Sequence, residues 1–317
     1  MRGRLLQKSC ATIEPAVEML SQTSPVVRGM LWMAATGFLF IVLNTIMKRL
    51  SHELDPWLVG FLRYLLGAAV MLAPALRLGA RALWPKAPGL QFVRGLFHAS
   101  GMMLWFAALP MVTLAELTAI GFSGPLFICL GAVLFLGERM SPARWAAVLI
   151  GFAGVLLVLK PWAGGGFAGV STGMLLMLAS APVFAGSFLV AKALTRRDRS
   201  DVVVLWQHLW VSVLLAGFAL AYWTQPTPAQ WGLLVACGFL GAGGHYCMVR
   251  AFRVADISAV QSVKFLELVW AAILGWIVFG TAPAGATVAG GLVILASTLL
   301  LVRHESRASA AARGVRP

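Results

Sequence analysis

Charged side chains are scarce in this 317-residue sequence: Asp, Glu, Lys and Arg together make up 11% of it, and only 11 residues are acidic. A water-soluble domain carries roughly a quarter charged residues. Hydrophobic residues make up 60% of the chain, and the mean hydropathy is +0.87. So few charged residues provide too little polar surface to cover a water-soluble globule. The composition therefore indicates an integral membrane protein.

Cysteine is also rare, and the four present (Cys10, Cys129, Cys237 and Cys247) show neither metal-binding nor paired disulfide spacing. Three lie inside apolar runs, where a free cysteine behaves as a small hydrophobic residue. The sequence also lacks a G-x-x-x-x-G-K-[ST] phosphate loop, an H-E-x-x-H zinc motif and a G-x-S-x-G elbow. We therefore predict no cofactor, no metal and no enzymatic chemistry.

The net charge of +14 does not indicate a nucleic-acid binder. Such a protein gathers Lys and Arg on one folded face. Here the basic residues occur in short spacers between long apolar runs, which is typical of a membrane protein.

Ten mostly apolar runs approach the length of about 20 residues that a bilayer crossing requires. They cover residues 29–47, 57–76, 90–109, 112–136, 143–159, 169–191, 202–223, 230–249, 257–280 and 285–302. The runs are continuous rather than alternating, which excludes an outer-membrane barrel. The predicted fold class is an all-α integral membrane protein with ten transmembrane helices.

The spacers predict the orientation of these helices. With a cytoplasmic amino terminus, the inside segments hold 19 basic residues and the outside segments hold 3. Cytoplasmic loops carry the excess of positive charge, so both termini are expected in the cytoplasm. Residues 1–28 and 303–317 have no apolar core, and we expect them to be unfolded cytoplasmic tails.

The chain repeats itself at a shift of 144 residues, which becomes 143 within the third span. The matches include residues 29–31 with 173–175, Phe40 with Phe184, and Gly137 with Gly280. The spans thus divide into two five-helix repeats, at 29–160 and 169–302. Because five crossings is an odd number, the second repeat is inverted. Many secondary transporters are built in this way, with the substrate near the midplane where the repeats meet.

Three segments carry a resemblance to a known family. They are Ala108-Leu109-Pro110 with the fourth span and Gly137-Glu138-Arg139, the fifth span Trp145–Leu159, and Ala251-Phe252-Arg253 followed by Phe265–Gly280. On these residues the sequence resembles the EamA-type ten-helix members of the drug/metabolite transporter superfamily, over about residues 29–302. One departure is Thr281 after Gly280, where family members often keep a glutamate.

The resemblance implies a facilitated or proton-coupled carrier of amino acids, drugs or related metabolites in the bacterial inner membrane. It also implies a cavity bounded by spans 1–4 and 6–9, with spans 5 and 10 as supports behind them. Ala147 and Gly151, and Thr287 and Gly291 in the other repeat, have the small-x-x-x-small spacing that allows close helix packing.

Ionisable residues inside a membrane usually face a cavity or a partner, and three are the main candidates for substrate binding. Glu116 in the fourth span could accept a proton or a cationic group, or pair with a neighbouring helix. Lys264 and Glu267 lie three residues apart on one face of the ninth span. They either meet the substrate's carboxylate and its amine or proton, or only pair with each other. The aligned first-repeat positions are Gly121 and Gly124.

The other candidates for substrate binding are polar or aromatic: Arg63, Tyr64, Gln207, His208, His98, Trp206, Asn44 and Gln261. Arg63 aligns with Gln207 and Tyr64 with His208, which indicates a lining shared by the repeats. Arg63 could instead bond a backbone carbonyl. The histidines could relay protons or bridge helices. Trp206 could stack on a cationic substrate or anchor the membrane interface.

Two residues outside this set have other expected roles. Glu138, beside Arg139 at the end of the fourth span, is expected to form a gating or structural ion pair. His245 in the eighth span is more typical of a hydrogen bond between helices than of a proton relay.

The sequence favours a secondary carrier that works by alternating access on a small polar metabolite. Mixed charge at the candidate site suits an amino acid or another zwitterionic molecule, with protons as a candidate coupling partner. One alternative is an integral-membrane enzyme acting on lipid-linked substrates, which has no need of an inverted repeat. A structural membrane subunit is the other. Both the direction of transport and the choice between monomer and homodimer stay open.

Overall fold

The structure, a computed structural model, describes residues 24–51, 53–76, 79–108, 111, 123–159, 171–267, 269–270, 273, 277 and 285–312. Regular structure within these residues is helical. The α-helices are α1 (Pro25–Leu50), α2 (Pro56–Leu76), α3 (Pro88–Ala108), α4 (Gly124–Leu136), α5 (Pro142–Leu159), α6 (Thr172–Leu194), α7 (Ser200–Ala221), α8 (Pro228–Val254), α9 (Ile257–Gln261) and α10 (Gly285–Ala312). One begins in or beside each predicted span, and the fourth and ninth spans are described only in part.

Within the described residues, six helices are long and apolar enough to cross a membrane, namely α1, α2, α6, α7, α8 and α10. α4 is a shorter apolar helix of 13 residues. α3 matches α2 in length, at 21 residues, but it carries the buried polar residues Gln91, Arg94 and His98, which lower its hydropathy. The described helices therefore fit a multi-pass membrane protein.

Helices α1 and α8 begin with a proline behind a capping Ser or Thr. Pro25 opens α1 behind Ser24, whose Oγ accepts a hydrogen bond from the Val27 amide at 3.3 Å. Thr227 and Gln230 form a reciprocal capping box at the start of α8. Proline has no amide hydrogen to satisfy in the first turn, and capping side chains accept from the exposed amides. These signals set where the crossings begin.

The two repeats interlock through equivalent contacts. The first helix of each repeat packs along the third helix of the other, α1 on α8 and α6 on α3. The second helices, α2 and α7, pack on each other, and so do the fifth helices, α5 and α10. A β-carbon on Gly154 of α5 would come within 3.0 Å of the Gly290 carbonyl oxygen, so these two supports approach closely. The paired contacts confirm the inverted five-plus-five fold.

The ninth span is not a continuous α-helix, which hydropathy does not predict. α9 ends at Gln261, and Ser262–Phe265 form a 3-10 turn that contains Lys264. Tight turns inside a span mark hinges, and broken helices line the substrate sites of many transporters. The break therefore falls where the charged candidates of this span begin.

The last helix is longer than expected. α10 runs to Ala312, whereas the pattern predicts an unfolded tail from residue 303. Alanine and arginine are strong helix formers, so the helix continues beyond its apolar part. Glu305 anchors this extension because its Oε1 accepts from Arg144 Nε at 2.8 Å.

Candidate substrate cavity

A cavity of about 210 Å³ lies between the two repeats. Its lining residues are Phe40, Leu43, Asn44, Arg63, Tyr64, His98, Met102, Trp105, Gly124, Ile128, Met177, Ser180, Ala181, Phe184, Ala185, Phe188, His245, Lys264 and Glu267. They belong to α1–α4 in the first repeat and to α6, α8 and the ninth span in the second. Among the described lining residues, none belongs to either support, α5 or α10. The family resemblance implies this arrangement, except that α7 supplies no lining side chain.

Five of the described lining residues carry Phe, Tyr or Trp rings: Phe40, Tyr64, Trp105, Phe184 and Phe188. The rings of Phe184 and Phe188 are stacked, with centroids 6.5 Å apart and an interplanar angle of 17°. Aromatic faces of this kind favour a flat, unsaturated ligand.

Two glycines hold the repeat-related phenylalanines in place. A β-carbon on Gly101 would come within 2.9 Å of the Phe184 ring, and one on Gly244 within 2.5 Å of Phe40. Gly101 and Gly244 are themselves 143 residues apart, the shift that relates this part of the repeats. The same contact therefore occurs once in each half, and any larger residue would displace a ring that lines the cavity.

A chain of hydrogen bonds crosses from the cavity into the protein interior. The Tyr64 hydroxyl lies 2.7 Å from His98 Nε2, and His98 Nδ1 lies 3.3 Å from Ser187 Oγ. Ser187 Oγ donates to the Arg94 carbonyl oxygen at 3.3 Å. Since Ser187 has used its proton, it accepts from His98 Nδ1–H, which leaves Nε2 to accept from Tyr64. The neutral form of His98 that fits this chain is therefore the Nδ1–H tautomer.

The two buried arginines have different surroundings. Arg94 is fully buried and donates to the Val203 carbonyl oxygen at 2.7 Å and to Gln207 Oε1. Arg63 lines the cavity, with its guanidinium 4.5 Å from the centroid of the Tyr64 ring and with Nη1 donating to Met47 Sδ at 3.5 Å. Arg94 is therefore a structural cation, whereas Arg63 is the arginine placed to meet a ligand.

Lys264 and Glu267 both line the cavity but do not form an ion pair. The described ion pairs are Arg144–Asp256, Arg144–Glu305 and Arg199–Asp201. Lys264 Nζ instead lies 5.3 Å from the centroid of the Phe188 ring. Glu267 Oε1 is buried without a hydrogen-bond partner among the described residues. Two ionisable groups of opposite type thus line the cavity without a direct ion pair between them.

His245 is a lining residue for which the sequence favours a hydrogen bond between helices over a proton relay. Its ring centroid lies 5.0 Å from that of Phe40, 5.3 Å from that of His98 and 5.4 Å from that of His208. Both ring nitrogens are buried without a hydrogen-bond partner in the described part of the chain. Buried polar atoms are rarely left unsatisfied, so these nitrogens are suited to bind a ligand or water.

The structure separates the sequence-predicted candidates into two groups. Those at the cavity are Arg63, Tyr64, His98, Asn44, Lys264 and Glu267. Outside it lie Gln207, bonded to Arg94, and His208, whose Nδ1 lies 2.9 Å from the Val204 carbonyl oxygen. Gln261 is buried outside the lining, and Trp206 bonds the Leu83 carbonyl oxygen at 2.8 Å, beyond the cavity. Glu116 lies outside the described residues.

Sequence reasoning misses the phenylalanines of the cavity. Phe40 and Phe184 are matched by the repeat, so their symmetry is a signal that could have selected them. Phe188 has no such signal, because a phenylalanine inside an apolar span is typical of lipid-facing and core positions alike. His245 is named by the sequence, but its closeness to His98 and His208 is visible only in the structure.

One end of the bundle is held together by polar contacts, and we call it the linked end. Glu138 accepts hydrogen bonds from the Ile257 and Ser258 amides at 2.9 and 3.0 Å and from Ser258 Oγ at 2.7 Å. Lys192 Nζ donates to the Phe252 and Ala255 carbonyl oxygens at 2.6 and 2.5 Å. Glu138 thus caps α9 with hydrogen bonds, in place of the expected ion pair.

The cavity lining reaches toward the end of the bundle opposite the linked end. Asn44 is six residues from the opposite end of α1, and Trp105 is three residues from that end of α3. A larger groove of about 730 Å³ lies on the outside, between α5 and α10. It shares no lining residue with the central cavity. The central cavity is the candidate substrate site because it lies between the two repeats and is lined by Lys264 and Glu267, which form no ion pair with each other.

Comparisons with known proteins agree with this architecture. The chain matches the EamA-like transporter family over residues 27–160 and again over 171–303. It is 35% identical to a riboflavin transporter of Rhizobium johnstonii over 90% of this chain and 94% of that one. It is 29% identical to an S-adenosylmethionine uptake transporter of Rickettsia bellii, over 82% and 88% of the two chains.

A solved crystal structure has the same fold, with a TM-score of 0.73 over 88% of this chain and 99% of that one, at 24% identity. The family match covers both halves of the chain, as an internal repeat requires. The named relatives are transporters, which supports a transporter over the membrane enzyme that the sequence left as an alternative. The chain therefore belongs to the EamA-like transporter family and is a multi-pass membrane transporter of small metabolites.

Proposed function

We propose that this chain is an alternating-access carrier that takes up a planar heteroaromatic metabolite of the riboflavin kind. The observation that carries the proposal is the set of five aromatic residues around a cavity between inverted repeats. A fused aromatic ring stacks well on such faces. The similarity to a riboflavin transporter over nearly the whole chain supports the same substrate class.

The size and polarity of the cavity suit a ring with a polar tail. At about 210 Å³ it is smaller than the roughly 300–1,000 Å³ typical of pockets for drug-sized ligands. It therefore holds one ring system, while a flexible tail extends away from the linked end. Asn44 lies on that side and offers an amide to hydroxyl groups, and His245 offers its unpartnered nitrogens to ring heteroatoms.

The proposed setting is the bacterial inner membrane, with both termini in the cytoplasm and the linked end facing inward. The 19-to-3 distribution of basic residues supports this orientation. In this proposal the hydrogen bonds of Glu138 and Lys192 hold the cytoplasmic side together, as an outward-facing state requires. In such a state an uptake carrier accepts its substrate from outside.

Glu267 is the proposed proton site. It combines a cavity position, a buried oxygen without a partner and the absence of a described ion pair. A carboxyl group in these surroundings can exchange a proton with the cavity without breaking a structural bond. Coupling of uptake to a proton gradient would follow from protonation before the halves rearrange.

A zwitterionic substrate is the second candidate. Lys264 and Glu267 are unpaired at the cavity, and such a pair suits the carboxylate and amine of an amino acid or of S-adenosylmethionine. The similarity to an S-adenosylmethionine uptake transporter favours this candidate. Replacing Lys264 by Met distinguishes the zwitterionic substrate from the heteroaromatic one. The change removes the partner of a substrate carboxylate but leaves the aromatic faces of the cavity.

The deciding experiment is ligand binding and uptake by purified protein. We expect riboflavin to bind in detergent, with its fluorescence quenched by the aromatic residues, and to accumulate in proteoliposomes. Phe184→Leu should weaken binding about tenfold, and Phe239→Leu, at an exposed position of α8, should leave it unchanged. Uptake of S-adenosylmethionine or an amino acid without riboflavin binding would select the second candidate. No uptake of any of them would contradict both.

A further inference from the structure

The groove between α5 and α10 has apolar walls. Ala143, Ala146 and Ile150 of α5 face Leu300 and Leu301 of α10 across a space of about 730 Å³. Small side chains on α5 make the groove deep, and its outer position places it against the acyl chains of the bilayer. Its walls therefore suit a hydrocarbon chain.

The mouth of the groove is basic. Arg303, His304 and Arg307 line it and are exposed, and none has an ion-pair partner among the described residues. Arg144 on the opposite helix is already neutralised by Glu305 and Asp256. The positive charge at the mouth is thus free to bind an anion.

The basic mouth lies at the depth of lipid headgroups. α10 has 28 residues, which is roughly 42 Å at 1.5 Å per residue, against a hydrocarbon thickness of about 30 Å. Its apolar stretch, Val288–Glu305, ends among the basic residues. The charged groups therefore meet the phosphate layer while the apolar walls stay in the hydrocarbon.

We propose that this groove binds one anionic phospholipid. The headgroup phosphate would lie against Arg303, His304 and Arg307, and an acyl chain would run along Ala146 and Ile150. Guanidinium groups bind phosphate oxygens in pairs, and basic pockets between transmembrane helices bind acidic headgroups. A second copy of this chain fits less well, because it would bring its own positive charge to the same mouth.

The first test measures lipid binding by native mass spectrometry of the purified full chain with added phosphatidylglycerol. We expect R303Q/R307Q to weaken phosphatidylglycerol binding about tenfold. The matched control is R196Q/R197Q, which removes two exposed charges at the linked end but outside the groove. Equal losses in both variants, no loss in R303Q/R307Q, or equal binding of phosphatidylcholine by the wild type would overturn the proposal.

The second test fills the apolar part without changing charge. Ala146→Trp should weaken phosphatidylglycerol binding about tenfold, and Val213→Trp, at an exposed position of α7, should not. Inorganic phosphate should compete only weakly, since it lacks the acyl chain. Competition by phosphate as strong as by the lipid, or a dimer that A146W dissociates without loss of bound lipid, would show that the groove has another occupant.

Discussion

Phe184 lies so close to Gly101 that a β-carbon on the glycine would come within 2.9 Å of its ring. The same contact recurs between Phe40 and Gly244 in the other half of the cavity. These pairs join the third helix of one repeat to the first helix of the other. The position of each ring therefore depends on how the two repeats sit against each other.

Alanine at these glycines should damage the cavity more than the fold. We expect Gly101→Ala and Gly244→Ala each to weaken substrate binding about tenfold, because the displaced ring enters the cavity, and to cost about 1–3 kcal/mol of unfolding free energy from overpacking. Calorimetric binding and thermal unfolding measure the two effects. Gly217→Ala is the control, since nothing lies within 4 Å of a β-carbon there. Normal binding by both cavity variants would contradict this role of the glycines.

Removing the Tyr64 hydroxyl should leave His98 Nε2 without its donor. We expect Tyr64→Phe to lower the unfolding free energy by about 1–3 kcal/mol, the cost of a buried group left unsatisfied. A double-mutant cycle with His98→Leu should then be strongly non-additive, because the two side chains share the bond. Tyr222→Phe, at an exposed tyrosine, serves as the control. Additive effects in the cycle would refute the hydrogen-bonded chain.

Neutralising Glu267 should uncouple uptake from protons. We expect Glu267→Gln to reduce accumulation driven by an imposed proton gradient at least tenfold, while exchange of substrate across the membrane stays within about twofold. Gradient-driven accumulation needs a residue that takes up and releases a proton, whereas exchange of substrate does not. Glu53→Gln removes an exposed carboxylate elsewhere and should change neither. Unchanged gradient-driven accumulation in Glu267→Gln would remove this residue from the coupling mechanism.

Removing the cap of α9 should loosen the linked end. Glu138→Ala deletes the acceptor of three hydrogen bonds from Ile257 and Ser258, which should cost about 1–3 kcal/mol. A cysteine introduced at buried Ala259, in a background without the native cysteines, should then react faster with a maleimide. Arg139→Ala is the matched neighbour and should leave the reaction rate unchanged. Equal rates in both variants would show that the cap does not hold this end closed.

The sequence predicts the spans and the repeat well because both depend on hydropathy and on matched residues along the chain. It does not predict the 3-10 turn at Ser262–Phe265, because a tight turn and an α-helix have the same apolar composition. The helical extension after residue 303 is missed for a related reason. An unfolded tail and a solvated helix rich in Ala and Arg both lack an apolar core, so hydropathy does not distinguish them.

The cavity is predicted in part. Ionisable residues stand out in an apolar chain, so Arg63, Lys264 and Glu267 could be selected from sequence alone. Their contacts could not, because whether Lys264 meets Glu267 or the Phe188 ring depends on the angle of one turn. Trp206 is a candidate that the sequence selects wrongly. Its indole N–H donates to the Leu83 carbonyl oxygen beyond the cavity, which the sequence does not reveal.

Glu267 and Gly124 occupy equivalent positions in the two repeats, and both line the cavity. A carrier with two identical halves would present two acids there and could load its cargo in either of two orientations. In the described residues of this chain a single carboxyl group remains at the cavity, so that position can carry at most one proton per cycle. The divergence of one residue thus makes the two halves of the cavity different at this position, so a bound molecule meets a carboxyl group on one side and a glycine on the other.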